Sequence, residues 1–237
     1  MKDVIQVKST EALHIKKLKK GMIHYLNIHM QESALGIPWK IPAIVARGAH
    51  DGPTLGITAA VHGNELNGMP TIFKVIKSLK LDQLSGTVVA IPVSNVPGFL
   101  SKQREFSDGV DLNRIMPGKV EGLSSEMYAY QFSHKIIKKF DFLLDLHTAS
   151  FGRINSLYIR ADLDNKNCSR MAMLQNPQII VNKYEENGTL RAWASSIGVD
   201  AITIEIGNSH RFQHDLIDET FIGMQNIMKD KGMIRGK

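Results

Sequence analysis

Short apolar runs alternate with segments of helical spacing along most of this 237-residue sequence, and this alternation limits the folds that it can adopt. Apolar runs between turn residues predict buried strands, and apolar residues three and four apart predict helices. Strands that alternate with helices indicate an α/β fold with a largely parallel, buried sheet. We predict strands at Met22–Met30 (an edge strand), Pro42–Arg47, Leu55–Val61, Thr87–Val93, Phe142–Leu146, Ser156–Arg160 and Ala201–Ile206. We predict helices at Met69–Leu79, Glu126–Phe140, Leu190–Ile197 and Leu216–Lys231.

The length of the chain fits one large domain or two small ones. A hydrophobic share of 43% is enough for a buried core, and a charged share of 22% is ordinary, so the composition excludes a disordered chain. We expect a single domain over residues 1–237, with its N-terminal strands in about residues 1–36.

The formal net charge of +6 would suit an anionic partner. The basic residues are scattered, however, apart from the cluster Lys16–Lys20, which we interpret as a solvated turn between two N-terminal strands. No aromatic-rich strand accompanies this cluster, so the sequence offers no platform on which bases could stack. We therefore expect no nucleic-acid partner.

The number of cysteines and the distribution of apolar residues indicate in which cellular compartment the protein is found. Cys168 is the one cysteine, so the chain cannot form an internal disulfide, which favours a reducing compartment. The N-terminus lacks the basic flank and apolar stretch of a signal peptide. No run of about 18 apolar residues suggests a membrane span. We expect a cytoplasmic protein with no membrane partner.

Residues that could bind a metal follow two of the predicted strands. His62 and Glu65 come directly after Leu55–Val61, where we expect a helix to start, and His147 follows Phe142–Leu146. Ligands of open α/β sheets bind at the carboxyl ends of strands. Two histidines and one glutamate, with water as a fourth ligand, are the arrangement of catalytic zinc sites.

Each of these residues also has an ordinary interpretation. His62 and Glu65 could be a cap and a surface glutamate, and a histidine at a strand end is often structural. Asp145 lies two residues before His147, on the same face of the strand. It could orient that imidazole, or it could be a cap or a surface charge.

Glu205 interrupts an apolar strand, on the face opposite Ile202, Ile204 and Ile206. A buried carboxylate needs a partner, and water bound to a metal is one. Glu205 would then act as a general base. The alternative is a glutamate on an edge strand that faces solvent.

Three polar residues lie in the stretch between these motifs. Arginine presents a planar fork that matches a carboxylate, so Asn113 and Arg114 could hold the carboxylate of a substrate. Arg104 could stabilise the oxyanion of a tetrahedral intermediate. Arg104 and Arg114 could equally be ordinary loop cations.

The order of these motifs resembles one known family. The chain contains, in order, His-Gly-Asn-Glu (62–65), Asn-Val-Pro-Gly-Phe (95–99), Arg104, Asp-Gly-Val-Asp-Leu-Asn-Arg-Ile-Met-Pro-Gly (108–118), Asp-Leu-His-Thr (145–148) and Thr-Ile-Glu-Ile-Gly (203–207). From about Ile37 to its C-terminus it resembles the succinylglutamate desuccinylase/aspartoacylase family of the zinc carboxypeptidase-like superfamily. The resemblance implies a three-layer zinc-carboxypeptidase-like domain with a mostly parallel mixed sheet flanked by helices.

The resemblance also implies an activity and a role for each residue. It implies a zinc-dependent amidohydrolase that acts on an N-acyl amino acid or a similar small carboxylate-bearing amide. The implied roles are one zinc per chain on His62, Glu65 and His147, a catalytic carboxylate at Glu205, a carbonyl polariser at Arg104, a carboxylate clamp at Asn113 and Arg114, and a further substrate contact at Arg191.

One departure from the family concerns the C-terminal end. Members usually carry a C-terminal β-rich domain that shapes the substrate pocket, whereas only residues 206–237 follow Glu205 here. We expect that domain to be absent or truncated, and the apolar surface so exposed would permit a homo-oligomer. Two other functions stay open: a zinc carboxypeptidase acting on peptide C-termini, and a non-catalytic binding module on the same fold.

Overall fold

The strands of this computed structural model, which describes residues 6–150, 152–183 and 187–236, form one mixed nine-stranded sheet. They are β1 (Val7–Thr10), β2 (Met22–Glu32), β3 (Pro38–Arg47), β4 (His50–Ala59), β5 (Ser85–Ile91), β6 (Phe142–His147), β7 (Leu157–Ala161), β8 (Ile179–Asn182) and β9 (Asp200–Ile206). The α-helices are α1 (Gly68–Ser78), α2 (Val96–Ser101), α3 (Ser124–Lys135), α4 (Lys166–Leu174), α5 (Leu190–Ser196) and α6 (His214–Asp230). Short 3₁₀ turns form at Ile15–Lys17, Leu112–Arg114 and Ile137–Lys139.

The strand order in the sheet is β1-β2-β3-β5-β4-β6-β9-β7-β8. The central strands β5, β4, β6 and β9 are parallel neighbours. Antiparallel pairs join β3 to β2 and β5 on one side, and β7 to β9 on the other. The predicted α/β class with a mostly parallel mixed sheet is confirmed.

Helices cover both faces of the sheet and enclose two apolar cores. Residues that alternate along β6 point to opposite cores: Leu144 and Leu146 to one, Leu143 to the other. The first core is completed by side chains of α1, α4 and α6, including Ile72, Met171 and Met224. The second is completed by side chains of α3 and α5, including Tyr128, Phe132, Leu190 and Ala194. Asp145 and His147 share the face of Leu143, so the polar residues of the site lie on the second-core side.

Two of the predicted elements need correction. Met22–Met30 is not at the edge of the sheet, because β1 pairs in parallel with β2 outside it. The helix predicted over Glu126–Phe140 ends at Lys135, since Ile136 leaves helical geometry at φ −121° and ψ −64°. The turn that follows places the ring of Phe140 against β4, where a Cβ on Gly56 would lie 2.0 Å from it.

The sequence interpretation missed β8, α2 and α4, and it expected a strand before the lysine cluster without giving the bounds of β1. The start of α2 had a readable signal, because Asn95 Oδ1 accepts a hydrogen bond from Gly98 N at 2.9 Å and Pro97 lies in the first turn. Helix α4 contains Cys168, which is buried, and burial raises the pKa of its thiol to about 11. That thiol is therefore no nucleophile.

The lysine cluster lies where the sequence predicts it, in the connection between β1 and β2. Within the part of the chain that the structure describes, no helix has both the length and the apolar character that crossing a membrane requires.

Candidate active site

The predicted metal ligands and Glu205 meet at the carboxyl ends of the neighbouring parallel strands β4, β6 and β9. His62 follows β4, His147 is the last residue of β6, and Glu205 lies near the end of β9. His147 and Glu205 are paired in register. Parallel strands end at the same edge of a sheet, so three separate stretches of sequence deliver their side chains to one place.

The loop that carries His62 and Glu65 differs from the predicted helix start. Helix α1 begins at Gly68, so both residues lie in the connection between β4 and α1. Ala60 turns the chain away from β4 with a φ of 50°. Gly63 then approaches the backbone of α2 so closely that a Cβ on it would lie 2.1 Å from the carbonyl carbon of Gly98. The glycine in this motif is therefore required by packing.

Three buried side chains direct potential ligand atoms at one another. Nδ1 of His62 lies 2.8 Å from Oε1 of Glu65, and Nδ1 of His147 lies 3.0 Å from Oε2 of Glu65. The two Nδ1 atoms are 3.2 Å apart. Together these residues form a group that could hold a metal ion. Ligand atoms about 2.0–2.1 Å from a tetrahedral zinc lie roughly 3.3 Å apart, so the cluster needs little adjustment to fit one.

Each imidazole of the cluster has a second carboxylate on its far side, in addition to Glu65. Nε2 of His62 lies 3.1 Å from Oδ1 of Asp111, and Nε2 of His147 lies 2.7 Å from Oδ2 of Asp145. A carboxylate can only accept a hydrogen bond, so an imidazole that gives its Nδ1 lone pair to a cation shared with Glu65 would carry its hydrogen on Nε2, toward the outer carboxylate. In that arrangement the two Nδ1 lone pairs would converge with the Glu65 carboxylate, a set of acceptors that requires a positive charge between them.

The electrostatics of the cluster agree with that requirement. Burial lowers the pKa of His147, but Asp145 and Glu65 outweigh it and hold the pKa well above its ordinary value. Burial raises the pKa of Glu65, yet the two imidazoles bring it down to about 2. Thr148 N also donates to Glu65 Oε2 at 3.0 Å, so this buried side chain is held as a carboxylate.

Arg104 links the cluster to the loop on its other side. Its Nε and Nη2 donate to Oδ2 of Asp111 at 3.2 and 2.9 Å, and its Nη1 donates to Oε1 of Glu65 at 3.3 Å. Burial raises the pKa of Asp111, but the hydrogen bond with His62 and the charges of His62 and Arg104 hold it well below its ordinary value. The side chain of Arg104 is 28% exposed, so part of its guanidinium remains accessible.

Asn113 and Arg114 lie in the 3₁₀ turn at Leu112–Arg114, which Asp111 caps by accepting from Asn113 N at 2.9 Å. Oδ1 of Asn113 accepts a hydrogen bond from Leu190 N at 2.7 Å, at the start of α5. Because the amide oxygen is used there, the amide nitrogen of Asn113 is the group left to donate. The bond also ties this turn to Arg191 in the first turn of α5.

Glu205 is buried, with only 7% of its surface exposed. It points away from the first core, in which Ile202, Ile204 and Ile206 pack. The interpretation as a solvent-facing glutamate on an edge strand is wrong, because β9 lies between β6 and β7. Burial raises the pKa of the Glu205 carboxyl above its ordinary value.

Two residues of β7 stand beside Glu205. Arg160 Nη2 lies 3.4 Å from Glu205 Oε1, and the same guanidinium donates to Tyr158 Oη at 2.6 Å. Sequence analysis missed both residues, although they alternate on one face of a predicted strand. It also missed Asp111 as the partner of His62, although Asp111 stands two residues before Asn113.

All eight of the predicted site residues line one cavity of about 340 Å³: His62, Glu65, Arg104, Asn113, Arg114, His147, Arg191 and Glu205. Arg153, Arg160 and Lys183 also line it, so among the described lining residues six basic side chains face two carboxylates. This balance favours a ligand with negative charge.

The fold and the site together define a class of protein: an α/β chain with a buried two-histidine, one-glutamate cluster at the carboxyl edge of its sheet. A metallo-carboxypeptidase from Burkholderia cenocepacia has the same fold, with a TM-score of 0.67 at 14% identity over 92% of this chain and 66% of that one. A succinylglutamate desuccinylase/aspartoacylase from Rhodobacter sphaeroides superposes with a TM-score of 0.82 at 22% identity, over 96% of this chain and 71% of that one.

Residues 51–230 match the succinylglutamate desuccinylase/aspartoacylase catalytic domain, and the chain belongs to this family. A curated relative, the N-alpha-acetyl-L-2,4-diaminobutyric acid deacetylase of Halomonas elongata, is 33% identical over 124 residues. The match covers 52% of this chain and 36% of that relative.

Proposed function

We propose that this protein is a zinc-dependent amidohydrolase that removes the acyl group from an N-acyl amino acid or a similar small carboxylate-bearing amide. The observation that carries the proposal is the convergence of the His62, Glu65 and His147 acceptor atoms at the floor of a basic cavity that also holds Glu205. Family membership supports the same reaction class.

His62, Glu65 and His147 would hold one zinc per chain. Their fit rests on the donor set: two imidazole nitrogens and a carboxylate oxygen suit zinc, and each imidazole is already oriented by an outer carboxylate. When bound, zinc acidifies water and polarises a carbonyl oxygen.

Glu205 would act as the general base. It accepts a proton from the attacking water and returns it to the leaving amine nitrogen, so the C–N bond breaks to give a carboxylate and an amine. Burial of Glu205 favours this role, because a raised pKa helps the carboxyl group to hold the transferred proton.

The basic side chains of the cavity would bind and polarise the substrate. Arg104 reaches Glu65 and has a side open to the cavity, so it can donate to the amide carbonyl oxygen as negative charge develops there. Asn113 Nδ2, Arg114 and Arg191 would hold the carboxylate of the amino-acid half. The orientation of the Asn113 amide supports this assignment, since its oxygen is used by Leu190 N.

A carboxypeptidase is the second candidate, because the same clamp suits the terminal carboxylate of a peptide and a metallo-carboxypeptidase shares the fold. The deacetylase relative favours the acylase, since its name describes removal of an acetyl group from an amino acid. We also propose a cytoplasmic location, because Cys168 is the single cysteine of this sequence and cannot form an internal disulfide.

A three-part substrate panel on zinc-loaded protein tests the proposal. It compares N-acetyl amino acids, dipeptides with free C-termini, and N-acetyl amines that match the first set but lack the carboxylate. We expect turnover of the first set, with much lower kcat/KM for the third. Faster cleavage of dipeptides would favour the carboxypeptidase, and no turnover of any set would contradict both enzymes and favour the binding module.

A further inference from the structure

A threonine on the central strand β4 stands behind the metal cluster. Thr58 is paired in register with Asp145 of β6, and both residues are buried. The Thr58 hydroxyl donates a hydrogen bond to Oδ1 of Asp145 at 2.7 Å. The other oxygen, Oδ2, lies 2.7 Å from Nε2 of His147. The three side chains therefore form a continuous chain that ends at a ligand of the cluster.

Both oxygens of Asp145 are used, one by each neighbour. Within the described residues, Thr58 and His147 are the two side-chain donors to this carboxylate. The torsion that rotates a carboxylate about its last bond has broad, shallow minima, so one hydrogen bond leaves the group free to turn. A second donor on the other oxygen removes that freedom and fixes the plane in which the carboxylate meets the imidazole.

The other imidazole of the cluster has an equivalent support. Asp111 faces Nε2 of His62, and Asp111 is itself held by Arg104 and by Asn113 N. Each imidazole thus has a carboxylate behind it, and each carboxylate has an anchor of its own. Thr58 anchors Asp145 by a hydrogen bond, as Arg104 anchors Asp111.

We propose that Thr58 is a positioning residue for the metal centre. Its hydroxyl holds Asp145 so that His147 keeps its hydrogen on Nε2 and directs the Nδ1 lone pair at the metal. This inference rests on the proposed function in one respect, since it takes zinc to be the ion bound by the cluster.

The test is a measurement of zinc affinity by chelator competition on the full chain, with no substrate present. Thr58→Val removes the hydroxyl and keeps the shape of the side chain. Losing an outer hydrogen-bond partner costs about 10–100-fold in metal affinity, and we expect a loss of about tenfold for this more distant residue.

Thr220→Val is the matched control. Thr220 is a buried threonine of α6 whose hydroxyl donates to Leu216 O at 2.7 Å. Its loss removes a hydrogen bond of the same length within α6, a helix that contains none of the cluster residues, so zinc affinity should stay within about twofold of the wild type. Thr58→Ser keeps a hydroxyl and should also retain the wild-type affinity.

A double-mutant cycle tests whether Thr58 acts through Asp145. In an Asp145→Ala background, adding Thr58→Val should cause no further loss of zinc affinity. A further tenfold loss in that background would overturn the proposed route.

Wild-type affinity in a folded Thr58→Val variant would overturn the proposal and leave Thr58 a packing residue. If circular dichroism shows that this variant does not fold, Thr58→Ala makes the same test with a smaller side chain. The result of this zinc-affinity test can be distinguished from that of the substrate panel. A protein that needs Thr58 for its zinc affinity but hydrolyses no amide of the panel would contradict only the proposed function.

Discussion

The two sides of the candidate active-site cavity are built differently. On the cluster side, His62, Glu65 and His147 are almost fully buried, and each ligand side chain has a fixed partner behind it. On the rim side, Arg114 and Arg153 are exposed at the mouth of the cavity. In the proposed enzyme, the buried, desolvated groups would carry out the chemistry, and the exposed cations would set the affinity for a charged substrate.

Replacing the proposed base should have the largest effect on turnover while sparing the metal. Glu205→Gln keeps the size of a side chain that is not one of the three ligands, but it cannot accept the proton. General-base catalysis contributes about 10²–10⁴-fold, so kcat should fall by that factor while zinc content is unchanged. Steady-state kinetics with elemental analysis of the same sample measures both quantities. Turnover within tenfold of the wild type would remove Glu205 from this role.

Replacing the carboxylates behind the two imidazoles, Asp145 and Asp111, should weaken zinc binding to different extents. Asp145 is 1% exposed, whereas the side chain of Asp111 is 19% exposed, so water can replace Asp111 more easily. Asp145→Asn and Asp111→Asn should both weaken zinc binding, within about 10–100-fold, with the larger loss for Asp145→Asn.

Asp111→Asn should have a second effect, because Asp111 also holds Arg104. We expect it to lower kcat at saturating zinc by more than Asp145→Asn does. Chelator competition gives the zinc affinities, and kinetics at saturating zinc gives kcat. The opposite order of the two zinc affinities would show that burial does not govern the strength of this support.

A change on the rim should alter affinity and leave the chemistry intact. Arg114→Ala removes charge-assisted hydrogen bonds, each worth about 1.5–3 kcal/mol, so KM for a carboxylate-bearing amide should rise by about 10–100-fold. The kcat, and turnover of an uncharged amide, should change little.

Arg170→Ala is the control for this rim variant, because Arg170 forms an exposed ion pair with Asp230 on other elements of the fold. Its kinetics should match the wild type. Equal losses on charged and uncharged amides in Arg114→Ala would contradict the carboxylate clamp.

The cluster side could be predicted from the sequence more completely than its surroundings. His62, His147 and Glu205 each follow or end an apolar strand, and parallel strands bring such positions to one edge. Tyr158 and Arg160 could not be placed, because that requires knowing that β7 pairs antiparallel with β9. The pairing of neighbouring strands is a long-range property with no local signal in the sequence.

Local backbone geometry limited the rest of the prediction. His62 and Glu65 were expected at the start of a helix, but the close approach of Gly63 to Gly98 keeps this segment in a loop. The end of α3 was missed for a similar reason, since Phe140 is apolar at helical spacing yet packs against Gly56 as the chain enters β6. In both places tertiary contacts outweigh the local pattern.

Zinc stoichiometry tests the central claim most directly. The protein should be purified without chelator or metal-affinity resin, incubated with zinc, freed of the excess and examined by elemental analysis. We predict about one zinc per chain in the wild type, and its loss in His62→Ala and His147→Ala. A wild-type protein that retains no zinc after this treatment, or variants that retain as much as the wild type, would contradict the account.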